Sequence, residues 1–123
     1  MGDAEYVIDV FTRPYDAGRD TGVLWGAEGG ATTVVHEITV TRQNLRVFVP
    51  RSAFADLANP QEAELSIVDS HKEVIVRGGD EGSGYECRIV LVADQVIRRI
   101  ISSRTFPENY KEVTEYTNRA PDN

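Results

Sequence analysis

Apolar residues recur at every second position through most of this chain, and that period of two is what most constrains its fold. A strand turns a new face at each residue, whereas a helix repeats about every 3.6 residues. Thr32–Thr41 carries the cleanest alternation. Val34, His36, Ile38 and Val40 fall on one face, and Thr33, Val35, Glu37, Thr39 and Thr41 on the other. Glu5–Thr12 repeats the pattern with Tyr6, Ile8 and Val10 on one side and Val7 and Phe11 on the other. Arg13-Pro14 ends that strand, because proline removes a ladder donor. Arg42-Gln43-Asn44 is a turn that should join Thr32–Thr41 to Leu45–Val49 as a hairpin. Gly22–Trp25 is a further candidate for a short strand.

Alternation resumes at Ala63–Val68, Glu73–Arg77, Tyr85–Ala93 and Val96–Ser103. Asp69–Lys72, Gly78–Gly84 and Asp94-Gln95 separate these runs and read as turns, so an antiparallel meander is expected. Two segments depart from the period. Phe54, Leu57 and Ala58 sit at helical spacing behind a capping Ser52, and Asn59-Pro60 stops the run. The spacing predicts a short helix over 51–59 that plugs one edge of the core. Near the end, Thr105-Phe106-Pro107-Glu108 resembles a capping box, while Val113–Thr117 favours a strand. One helical turn and then a short strand are expected, with Arg119–Asn123 frayed. The fold class is mainly β: a curled antiparallel sheet, a sandwich or a small barrel of about seven to nine short strands with one short helix.

The chain has 123 residues, the size of one domain. No apolar run approaches the ~18 residues of a membrane span, and the start is acidic where a secretory leader is basic and then apolar. A single cysteine, Cys87, excludes an intramolecular disulfide and fits a reducing compartment. A cytoplasmic protein is expected, with no membrane partner.

The net charge of −7 is unevenly spread. Between Asp56 and Glu86 there are eight acids against Lys72 and Arg77. This stretch repels nucleic acid and suits a basic partner. Its exposed candidates are Glu62, Glu64, Asp69, Glu73, Asp80 and Glu81. The following stretch, Arg88–Arg104, is basic, and Arg98 or Arg99 is a candidate contact for an anion.

No motif carries catalysis. Gly78-Gly79-Asp80-Glu81 matches the opening of a cyclic-dinucleotide synthase signature, but Gly82 replaces its next residue, Phe. Tyr85 follows Gly84 where a phosphate-binding loop needs Lys and then Ser or Thr. Asp69, His71 and Glu73 would gather only on a continuous strand, and the turn read over Asp69–Lys72 scatters them. No cofactor and no metal are therefore expected. His36, on an apolar face, is expected as a mostly buried imidazole, and Cys87 as an inert core thiol. Trp25 fits either a partner anchor or a cap on the core.

Three functions follow, in order. The first is a non-catalytic cytosolic interaction or inhibitor protein, in its concrete form an immunity-type protein that sets an acidic face against a basic partner. The second is a carrier with a cavity lined by Tyr6, Phe11, Phe48 and Tyr85. The third is a small hydrolase or isomerase pairing His36 or His71 with a carboxylate.

Overall fold

The structure, a computed structural model, describes residues 6–28, 30–68, 70–79 and 84–117. Eight strands follow in order: β1 Tyr6–Pro14, β2 Thr33–Arg42, β3 Leu45–Val47, β4 Pro60–Val68, β5 His71–Gly78, β6 Tyr85–Val92, β7 Gln95–Ser103 and β8 Tyr110–Glu115. They form two antiparallel sheets, β1-β2-β3 and β4-β5-β6-β7-β8. The sheets pack as a sandwich and do not close into a barrel. Val35, Ile38, Val40 and Val47 bury against Val74, Val76, Cys87, Ile89, Leu91 and Ile101 of the other sheet. Among the described residues no helix is long and apolar enough to cross a membrane.

The expected hairpin and meander are present, and β8 extends the meander by one strand. Two of the hairpins turn on residue pairs with positive φ: Gln43 and Asn44 at 52° and 67°, and Ala93 and Asp94 at 52° and 62°. Positive φ at both central positions is the type I′ geometry, whose twist matches that of paired strands. Asp94 also fastens the two sheets together, accepting a hydrogen bond from the Tyr6 hydroxyl at 2.7 Å.

His36 departs from its expected place. Phe11 pairs with Glu37 and Thr12 with Val35, so His36 is an extra residue in β2. Such a β-bulge shifts the alternation by one. Val35 consequently joins Ile38 and Val40 in the core, and His36 is exposed rather than buried.

The helix expected over 51–59 is a single 3₁₀ turn, Arg51–Ala53. Beyond it the chain is hydrogen-bonded on both sides. Trp25 N donates to Asp56 O and Ala58 N to Trp25 O; on the opposite side Val35 N donates to Leu57 O and Asn59 N to Thr33 O. Asn59 anchors this arrangement at a φ of 48°. Its Oδ1 accepts from Thr32 N and Thr33 N, and its Nδ2 donates to Gly26 O and Gly30 O. A two-turn helix has a costly nucleus, and these partners outcompete it. Phe54 and Leu57 bury as expected, from extended backbone and turn.

Tyr85 packs into the same corner, its hydroxyl donating to Ala58 O at 2.9 Å. Two glycines make room for it. A Cβ on Gly26 would lie 2.6 Å from the Tyr85 ring, and one on Gly78 would lie 2.5 Å from Asn59 O and 2.8 Å from the Tyr85 hydroxyl. The helical turn expected near 105 is a plain turn closed by Asn109 N on Phe106 O, and Tyr110–Glu115 is strand β8. Of Gly22–Trp25, Trp25 alone forms a bridge, with Leu57. Arg119–Asn123 lies outside the described residues.

Candidate functional site

Residues two apart on a strand share a face, so β4 turns Glu62 and Glu64 to the outside of the five-stranded sheet and Leu65 toward the core. The register sets Glu62 opposite Arg77, Glu64 opposite Ile75, and Ser66 opposite Glu73. Glu62, Glu64 and Glu73 thus share one face. Asp69, Asp80 and Glu81 lie outside the described residues.

Arg77 is the centre of this face. Its Nη1 lies 3.2 Å from Glu62 and 2.8 Å from Glu64, and its Nε donates to Glu86 at 2.9 Å. Arg88 Nε donates to the second oxygen of Glu86 at 2.8 Å. Arg104 reaches Glu62 at 3.8 Å. Glu86 is only 4% exposed. Burial pushes its carboxyl up, but hydrogen bonds from Arg77 and Arg88 outweigh that and hold it below the ordinary Glu value. Burial likewise opposes the charge on Arg77, and its carboxylate partners raise it above the usual arginine value. Three carboxylates, Glu62, Glu64 and Glu86, thus stand beside three guanidiniums, Arg77, Arg88 and Arg104, while Glu73, expected to be exposed, is mostly covered on β5 and pairs with His71 at 3.2 Å. The most accessible of these acids stand at the β4 edge, where the side chains of Glu62 and Glu64 are each 52% exposed.

The two candidate anion contacts lie on opposite faces. Arg98 is outside, paired with Glu115 at 2.9 Å. Arg99 points inward and is 3% exposed. Its Nη1 donates to Asp56 at 2.6 Å and to the carbonyls of Ser52 and Ala53; its Nη2 donates to Asp56 and Glu112, each at 2.8 Å, and its Nε to Glu112 at 2.9 Å. A guanidinium has five N–H donors, and here each faces a protein acceptor. Arg99 is thus a clamp tying the segment after β3 to β8. Its hydrogen bonds hold the Glu112 carboxyl below the ordinary value against the opposing effect of burial. Sequence reasoning missed Asp56 and Glu112 as its partners, and no local spacing signals them.

His71, expected in a turn, is instead on the strand that carries Glu73. Both belong to β5, and His71 Nε2 lies 3.2 Å from Glu73 Oε2. The three principal cavities among the described residues are lined by neither of them. Cys87 is fully buried, and burial pushes its thiol up to about 12. Trp25 is half-buried against the core. Tyr85 is buried while Phe11 and Phe48 face outward, so the residues proposed to line a carrier cavity do not surround a common space. Among the described residues no group of three or more His, Cys, Asp or Glu side chains is arranged to hold a metal ion.

Comparison with known protein families, curated proteins and solved structures finds no match to this chain.

Proposed function

We propose that this chain is a non-catalytic interaction protein that presents an acidic face, Glu62 and Glu64 at the edge of β4 with Glu73 on the neighbouring β5, to a basic protein partner. In its concrete form it is an inhibitor of the immunity type, set against a partner such as a nuclease-like toxin with a basic cleft. One observation carries this reading: two half-exposed carboxylates converge on one guanidinium that already serves the buried Glu86. Arg77 orders both acids on one strand, with Arg104 3.8 Å from Glu62, and about half of each carboxylate side chain still faces solvent. A partner's lysine or arginine at that edge would relieve their repulsion and find them already positioned. Such a surface steers association and makes it sensitive to ionic strength.

The test is affinity capture from the native cell with the wild-type chain and with a triple variant, Glu62→Lys, Glu64→Lys and Glu73→Lys. A basic protein should be retained by the first and lost by the second. Equal capture by both would remove the acidic edge from the reading. All three side chains are on the outer face, so circular dichroism of the variant should remain that of a β protein.

A further inference from the structure

The opposite side of the sandwich carries a different surface. β3 is three residues long and forms the edge of its sheet. Immediately after it Phe48 is 73% exposed, and Leu45 at its start is 68% exposed. An isolated exposed apolar residue needs no explanation, but here the ring stands beside a groove of about 450 Å³. Ile38, Val47 and Phe54, all core residues, line that groove together with Phe48 itself. A protruding aromatic ring and a slot that reaches the core thus share one short edge.

A knob and a hole on the same patch are what a two-fold contact between identical chains requires, since each copy must offer both. Charge points to the same occupant. Copies of a chain with a net charge of −7 repel one another over most of their surface. The rim of this groove carries Glu37 and Arg46, which pair with each other and leave the patch balanced. At the β4 edge, by contrast, two copies would set carboxylates against carboxylates.

We propose that a second copy of this chain docks here, with Phe48 of each copy entering the groove of the other. The Glu37 and Arg46 side chains of the two copies then alternate around the axis. This inference uses a different face from the acidic edge and is independent of the reading above.

Sedimentation equilibrium of the full chain, from micromolar to near-millimolar concentration, tests it. A reversible dimer is expected. Phe48→Ser should weaken it by about tenfold or more, the loss typical of truncating an aromatic anchor. Because Phe48 is exposed, the variant should keep its fold, which its melting curve checks. Arg46→Glu should also weaken the dimer, and adding Glu37→Arg to it should restore association. A chain that stays monomeric throughout overturns the proposal and leaves the groove to another partner. A dimer indifferent to Phe48→Ser, or a charge swap that fails to restore association, overturns it equally.

Discussion

The two outer faces of the sandwich manage exposed surface in opposite ways. On the five-stranded sheet, Ile75, Val90 and Ile100 are buried although they lie on the face turned away from the other sheet. Their ladder neighbours are Arg88 and Arg98, and Arg77 is close by on β5. The aliphatic stems of these arginines cover the apolar residues, and carboxylates clamp their heads. On the three-stranded sheet Val7, Phe11 and Phe48 stand exposed, and the arginines of its strands each hold a carboxylate: Arg13 with Asp20, Arg42 with Asp94 and Arg46 with Glu37. The acids of the first face thus have two roles. Glu86 is structural, whereas Glu62 and Glu64 at the edge are only partly used and remain available. The second face has no such carboxylate–arginine cluster among the described residues and keeps its apolar side chains open.

The largest expected effect lies behind the first face. Arg99→Leu should lower stability by about 3–5 kcal/mol in a denaturant titration, because it strips a buried clamp from Asp56 and Glu112. On the outer side, Arg77→Ala should cost about 1–3 kcal/mol, since buried Glu86 loses one of its two arginines and Ile75 part of its cover. The matching change on the other face, Arg46→Ala, should cost only about 0–1 kcal/mol, as exposed pairs do. Equal losses for Arg77 and Arg46 would erase the contrast between the faces.

Acid sharpens the same comparison. Glu86 and Glu112 have folded-state values below the ordinary one, so the unfolded chain binds protons first as pH falls. Their contribution is fully present above the ordinary Glu range and is lost as pH falls through their depressed values. Melting temperature should therefore drop below about pH 5. Arg77→Ala should flatten that drop, and Arg46→Ala should leave it unchanged. The smallest effect belongs to Phe48→Ser, which should alter the stability of the monomer by no more than about 0.5 kcal/mol.

Alternation alone made the strands legible, because burying one face of a sheet imposes a period of two. It also placed Glu62 and Glu64 together and separated Arg98 from Arg99. What it could not carry were features set by distant partners or by a single residue. The bulge at His36 adds one residue without any signal in the spacing; Val35 then joins the core, while Val34 is buried where it bridges Ala58. The 51–59 segment has helical spacing, yet its backbone is claimed by Trp25 and by Thr33 and Val35. Arg99 reaches Asp56 across 43 residues, a contact that depends on the whole sandwich. Likewise, that Arg77 would gather Glu62, Glu64 and Glu86 follows only from the register of β4, β5 and β6.

The claim that the β4 edge is the docking face is tested most directly by association kinetics of a captured partner. The wild-type on-rate should fall as salt rises through ~0.15 M, where charges are screened over about 8 Å. The triple reversal at Glu62, Glu64 and Glu73 should associate more slowly at low salt and lose most of that dependence. A triple variant that binds at the wild-type rate, with the same response to salt, would contradict the account.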